Sequence, residues 1–578
     1  MAQKKNVFRR IAVPGLLGSL LLCQEHAQAQ QDGQVQLEPN DQVIRAWQQN
    51  NLGAAAGPSL ARQEDGGTRL EWKGGLTVDT YGNDVHSAGG NLNTPLRTGA
   101  FYKNTYNSDL RATYKDNTVD YFQLGATGSN DLSVLSQNRY QVNNMQLGRA
   151  GAGYMLSLGD VTPNFSSLSS ALGVRGLYGQ RQFGEEMTVY GFTGMVAESW
   201  EALDNKVPRT QYLKDVHGLK LEKAFGSSLK TYVTSQSSSE REPTTVMAQP
   251  LAAQRGKTRS FSGGFQYQAE QFTLAGETAG SRYENGGTSD RPGRASILDA
   301  SWRGEGYGFR GGYHDISSGY TSLSLQAQPG VREAYAGVDW TVAPWIALAT
   351  DVRRSRLTTL ATAGFESTYV DSNAVAARAN INFGPDYPGW ALALQQAESR
   401  ALNSAMQASR NRDFSSTLNY TTPTWNAGVG FGWGKVTSEV WPASDSLNDN
   451  WAFNLGHTFS DAQPDLPQTW SLGVNLTAGA QKQRLLSGGQ TSNTNYTFTV
   501  TGQRAGWGSV NLLVMSGRTT QLYGGPSLRL EGYQLEAVYA ISEKCSLKAY
   551  ARSSHRNIDD PVLAAKESAA GLQLNISF

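Results

Sequence analysis

The sequence predicts an all-β protein: a single transmembrane, up-and-down antiparallel β-barrel of about 24–26 strands. Three observations predict it. Apolar and polar residues alternate with a period of two in many segments, giving strands with one oily and one wet face. The connections between those segments alternate between short and long. Beyond the leader, nothing approaches the ~18–20 apolar residues of a membrane helix, and mean hydropathy is −0.45. In lipid, strand backbones are satisfied only by a closed barrel.

The alternation is explicit in several segments. Val375, Ala377, Ala379, Ile381 and Phe383 interleave with Ala376, Arg378, Asn380 and Asn382. Trp470, Leu472, Val474, Leu476 and Ala478 interleave with Ser471, Gly473, Asn475, Thr477 and Gly479. Tyr496, Phe498 and Val500 alternate with threonines, and Trp425, Ala427, Val429, Phe431 and Trp433 with glycines. A soluble sandwich would show the same faces, so the connections decide.

Short connections include Lys115 to Asn117, Phe225 to Ser228, Thr341 to Trp345, Thr422 to Trp425 and Ser542 to Cys545. Long polar ones include Gly82 to Leu96, Ser237 to Gly256, Tyr283 to Ala295, Leu357 to Asp371, Gln481 to Asn493 and Ser553 to Ser568. Tight turns on one side and long loops on the other mark an up-and-down transmembrane barrel. Trp340 and Trp345 flank one short turn, Tyr420 and Trp425 another. Their rings suit an interfacial girdle.

Lys4, Lys5, Arg9 and Arg10, the apolar run Ile11 to Cys23 and the small-x-small site Ala27-Gln28-Ala29 predict a signal peptide over 1–29. Residues 30–67 are polar, with one amphipathic patch from Asp41 to Asn51. They are expected to be a disordered leader, a small plug or a contact for a periplasmic partner. The barrel is assigned to 68–578. At its end, Leu572, Leu574, Ile576 and Phe578 alternate with Gln573, Asn575 and Ser577. This ending resembles the C-terminal signal of bacterial outer-membrane β-barrels. The resemblance implies an outer-membrane location, with outer-membrane lipid and the barrel-insertion machinery as partners.

Composition narrows the class further. There are 63 Gly, 25 Tyr and 13 Trp against 2 Cys. Cys23 falls in the leader, so no second cysteine remains to form a disulfide with Cys545. An exported chain without disulfides is held by hydrogen bonding and packing, which a closed ladder supplies. A formal net charge of +1, with no long run of one sign, points away from nucleic acid.

About 26 strands imply a backbone diameter of roughly 50 Å. A bore that wide needs filling or gating. With the apolar set facing lipid, Glu71, Lys73, Arg111, Lys115, Lys220, Glu222, Asp299, Arg303, Arg310 and Arg378 become the candidate lumen-lining residues. Lys or Arg at the bilayer midplane would cost about 2–4 kcal/mol, which forces the assignment. Their ordinary role is solvated lumen, and no track of one sign emerges.

Catalytic and cofactor signatures are missing. His86, His217, His314, His457 and His555 are scattered without metal-ligand spacing. There is no G-x-S-x-G elbow. Ser554-His555-Arg556-Asn557-Ile558-Asp559-Asp560 reads as surface loop, since triads converge from distant segments. No enzyme activity, metal or cofactor is expected.

Leu156-Ser157-Leu158-Gly159-Asp160-Val161-Thr162-Pro163-Asn164-Phe165, followed by Val174-Arg175-Gly176, resembles the early barrel strands of fimbrial ushers. The resemblance covers about 20 residues, and the usher's chaperone-binding, plug and C-terminal domains have no counterpart here. Together with the implied bore, it suggests an export conduit for pilus-type subunits or a surface polymer, served by a periplasmic export partner. A general or sugar-type diffusion porin and a surface anchor or adhesin are the alternatives.

Overall fold

The computed structural model describes residues 68–578 except 88–96, 132–133, 136–138, 164, 169–172, 198–199, 204–212, 242–255, 286–287, 323–328, 360–366, 385–386, 441, 462–467, 521–526 and 559–563. The leader (1–29) and polar segment (30–67) lie outside the described residues.

The first strands are β1 (Arg69–Ser87), β2 (Gly99–Thr113), β3 (Val119–Ser129), β4 (Tyr140–Gly151), β5 (Tyr154–Val161), β6 (Val174–Phe183), β7 (Met187–Val196), β8 (Lys214–Phe225) and β9 (Leu229–Glu240). Then come β10 (Gly256–Gln268), β11 (Phe272–Asn285), β12 (Thr288–Arg303), β13 (Tyr307–Ile316), β14 (Val331–Ala343), β15 (Ile346–Thr358), β16 (Tyr369–Asn382) and β17 (Trp390–Asn403). The circuit ends with β18 (Ala408–Thr421), β19 (Trp425–Ser438), β20 (Ser446–Ser460), β21 (Trp470–Leu485), β22 (Gln490–Arg504), β23 (Gly508–Thr520), β24 (Leu528–Ser542), β25 (Cys545–Ile558) and β26 (Ala565–Ser577).

Each strand pairs antiparallel with its sequence neighbours, and β26 returns to β1 from Gly75↔Ser577 to Ser87↔Ala565. The sheet is therefore a closed 26-stranded barrel, at the upper end of the expected range. Closure leaves no strand edge for lipid to meet.

Connections after even-numbered strands are mostly tight, as at 114–118, 152–153, 226–228, 344–345 and 543–544. Asn117 and Gly153 take the positive φ such turns need, at 60° and 73°. Both ends of the described barrel lie on this side. On the far side three expected loops are largely paired strand. β11 and β12 continue through Tyr283↔Arg291, β21 and β22 through Arg484↔Gln490, and β25 and β26 through Arg556↔Ala565. Their polar sequences lack the oily period, but a backbone ladder needs none. Ser554 and His555 thus lie on β25 rather than in a loop.

The register keeps one face continuous around the ring. Within strands, exposed large apolar side chains such as Leu70, Trp72, Leu219, Val375, Val429 and Tyr496 fall on the outward parity, with Val370 and Leu530 as exceptions. Near the tight turns this face carries an aromatic rim. Trp72 meets Phe578 at 4.7 Å, Trp302 meets Tyr307 at 5.1 Å and Trp390 meets Tyr420 at 4.9 Å. Trp340, Trp345 and Trp425 stand exposed at the same end. That is the girdle of a membrane boundary.

Candidate functional site

The inward parity is the candidate site, and it divides into two unlike arcs. From β17 to β23 the inward side chains are Gln, Asn, Ser, Thr, Gly and a few apolar residues, with Asp413 the one charge among those described. On β19 the inward positions Gly428, Gly430, Gly432 and Gly434 leave a groove that neighbouring amides fill. A Cβ at Gly432 would sit 1.9 Å from Asn450 Oδ1, and one at Gly428 2.3 Å from Asn454 Oδ1. This arc offers many neutral donors and acceptors and no fixed ion.

The arc from β7 to β16, which adjoins it, is charged and aromatic. The Arg310 guanidinium donates to Asp339 at 2.7 Å and Asp351 at 2.5 Å, and Arg378 reaches Asp351 at 3.4 Å. Asp299 accepts from Tyr335 at 2.6 Å and lies 2.8 Å from His314 Nε2. Lys220 bonds Glu222 at 2.9 Å beneath the rings of Tyr190 and Tyr232. The two groups lie on β12–β16 and β7–β9, so sequence-distant charges become neighbours only through register.

The remaining candidates sit near the tight-turn rim. Glu71 pairs with Arg69 at 2.5 Å and lies 3.7 Å from Lys73, while Arg111 pairs with Asp109 at 2.9 Å. Arg303 ends β12 on the inward parity. Lys115 stands on the turn at 114–118, at the rim rather than on the wall.

Between β5 and β6, the described residues 165–168 pack against the inner wall of the barrel. Phe165 packs edge-on against Phe192 at 5.1 Å, in a buried cluster with Val161, Val174 and Val216. Further on, Ser166 Oγ donates to Glu277 at 2.5 Å, and the Leu168 N–H donates to the same carboxylate at 3.1 Å. Tyr232 donates to Glu277 at 3.2 Å, and Tyr320 donates to the Leu168 carbonyl at 3.0 Å. Leu168, Ala279, Ala295, Ile316 and Tyr320 form a second buried cluster. The described residues 165–168 are thus seated on the inner wall through Phe165, Ser166 and Leu168. Glu277, only 5% exposed, carries no motif in the sequence, and Ser166 is 111 positions away.

The usher-like residues build the corner that leads to residues 165–168. Gly159 has φ +120°, and a Cβ there would lie 2.1 Å from the Met145 carbonyl. Asp160 accepts from the Met145 N–H at 2.7 Å and from Trp200 Nε1 at 2.6 Å, with Arg175 3.4 Å away. Gly176 is equally close-packed, since a Cβ there would lie 2.1 Å from the Thr193 carbonyl. As a result β4 and β5 pair only from Gln146↔Gly159 to Gly151↔Tyr154.

A closed ring of 26 strands with an oily exterior, an aromatic rim and a polar bore defines a transmembrane β-barrel of the bacterial outer-membrane class. The comparisons go no finer than that class. No protein-family model matches the chain, and no curated protein sequence does. Among solved structures it is similar to the translocation pore of the P pilus usher PapC, at 11% identity over 87% of this chain and 100% of that one, TM-score 0.35. It is also similar to the siderophore receptor PirA from Pseudomonas aeruginosa, at 12% identity over 88% and 80%, TM-score 0.37. A third is the Pseudomonas aeruginosa protein OccK11, at 10% identity over 88% and 96%, TM-score 0.25. Such likeness concerns strand architecture alone.

Proposed function

We propose that this outer-membrane transport barrel is an export conduit for a macromolecule, such as a surface polymer or pilus-type subunits, with its bore narrowed by residues 165–168 between β5 and β6. The observation that carries the reading is the ring of 26 strands, whose backbone diameter of roughly 50 Å exceeds what small solutes require. The neutral arc on β17–β23 supports it, because a wall of amides and hydroxyls can exchange hydrogen bonds with a passing chain without trapping it on one strong charge. The reading includes insertion into outer-membrane lipid by the barrel machinery, delivery of cargo by a periplasmic partner, and no catalysis. A diffusion porin for uncharged solutes is the second reading, favoured by the same neutral arc.

Polymer exclusion in planar bilayers separates them. A conduit gives low or fluctuating conductance that rises sharply when the Glu277 seat is removed, and the opened pore admits polymers of several kilodaltons. A steady open conductance in the unmodified protein, already blocked to polymers of about one kilodalton, would establish the porin instead.

A further inference from the structure

We propose that the outward face of β15–β19, just beyond the apolar band, binds the phosphorylated headgroup of an outer-leaflet lipid. It is independent of what the bore carries.

The observation is a cross-strand row of like charges. Arg400 on β17 lies directly opposite Arg410 on β18, and Arg400 is also opposite Asn373, which faces Arg354. The row Arg354, Asn373, Arg400, Arg410 contains no carboxylate. In the adjoining row Glu398 faces Arg412, which faces Lys435. Glu398 serves both Arg410, at 2.6 Å, and Arg412, at 3.1 Å. Across the outward face of these five strands, six bases (Arg354, Arg356, Arg400, Arg410, Arg412 and Lys435) share two acids, Glu398 and Asp371, and Asp371 is paired with Arg356 at 2.6 Å. Like charges directly opposite one another destabilise a sheet, so the arrangement calls for an external anion.

Other outward arginine pairs lack this imbalance. Arg332 faces Arg356, but they hold Asp315 at 3.0 Å and Asp371 at 2.6 Å, and Arg259 faces Arg282, which pairs with Asp290 and lies 3.6 Å from Glu284. Arg518 faces Arg529, and Arg529 has Glu531 to itself.

Position selects a lipid over a dissolved anion. Arg412 is two residues along β18 from outward Phe414, and Lys435 is two along β19 from outward Trp433. Two strand residues rise by about 6.6 Å, which sets the guanidinium groups one headgroup layer above rings that face acyl chains. This end of the barrel is opposite the tight turns, hence on the outer leaflet. Arginine forks match phosphate oxygens two at a time.

The test uses the purified full barrel and native mass spectrometry, with bisphosphorylated lipid A as the probe and its dephosphorylated form as comparison. Lipid A should remain bound to the unmodified protein, while the dephosphorylated lipid binds at least about tenfold more weakly. The Arg400→Gln/Arg410→Gln double variant should lose about tenfold in lipid A affinity, and Arg518→Gln/Arg529→Gln should bind like the unmodified protein. Heat-modifiable migration checks that each variant is folded. Should the double variant not fold, Arg400→Lys, which keeps the charge but loses the fork, should still weaken binding. Equal binding of the two lipids, or equal binding by the folded Arg400 variants, would overturn the proposal. So would displacement of lipid A by inorganic pyrophosphate at comparable concentration, which would make the site one for soluble anions.

Discussion

Phe578 closes the barrel by lying against Trp72, 4.7 Å between ring centroids, while its own N–H and carbonyl pair with Gly74 at 3.0 and 2.9 Å. The last residue of the chain is thus bonded to the first strand. Its ring occupies the space that a side chain at position 74 would need: a Cβ there would meet Phe578 at 2.6 Å and the Asn107 carbonyl at 2.5 Å.

Gly74→Leu is therefore expected to prevent closure, seen as loss of the heat-modifiable folded band. Phe578→Ala leaves the ladder intact and removes the ring pair, which is worth about 1 kcal/mol beyond the area buried. Its urea midpoint should fall modestly, with the folded band retained.

The Glu277 carboxylate ties the segment between β5 and β6 to the wall through Ser166 and Leu168. Glu277→Ala should release it, raising mean single-channel conductance by about twofold or more and increasing current noise. Ser166→Ala alone removes one of the bonds and should give a smaller rise. Unchanged conductance in both would show that the segment does not restrict flow.

Arg310 lies between Asp339 and Asp351 on the inner wall. Arg310→Ala leaves two carboxylates without their shared cation. The reversal potential in a salt gradient should move toward cation selectivity, by about twofold in permeability ratio, with little change in fold.

Outside the strands, Asp461 is held below the usual carboxylate range, chiefly by the Thr469 hydroxyl and then by the backbone N–H of Trp470. The N–H groups of Thr469 and Trp470 reach it at 2.9 and 3.0 Å. A lowered folded pKa contributes stability that is present above the ordinary value of 3.8 and is lost as pH falls through the folded value. Asp461→Asn should therefore lower the unfolding midpoint slightly at pH 7, and the difference should shrink in acid. Measuring both proteins by loss of the folded band across pH checks this.

The strands were legible wherever oil marks one face, as from Trp470 to Ala478, because lipid imposes that pattern. They were hidden where strands rise beyond the lipid. Arg291 pairs with Tyr283 although the local sequence, with Pro292 and several glycines, reads as loop. Pro292 pairs with β11, and the pairing of β12 with β13 begins only at Ala295. The corner at Gly159 and Asp160 was visible as a motif, but its purpose was not, since Glu277 and Tyr320 meet Leu168 only through the closed ring. The same holds for Arg310, whose partners Asp339 and Asp351 are set by register across three strands.

The division into a lipid face and a wet bore is tested most directly by single cysteines on β22 in a Cys545→Ser background. A membrane-impermeant maleimide applied to intact cells should label Thr497→Cys and Thr499→Cys and spare Phe498→Cys and Val500→Cys, with a lipid-soluble reagent giving the reverse. Labelling that is uniform along the strand, or strongest at 498 and 500, would contradict the barrel's orientation and every transport reading built on it.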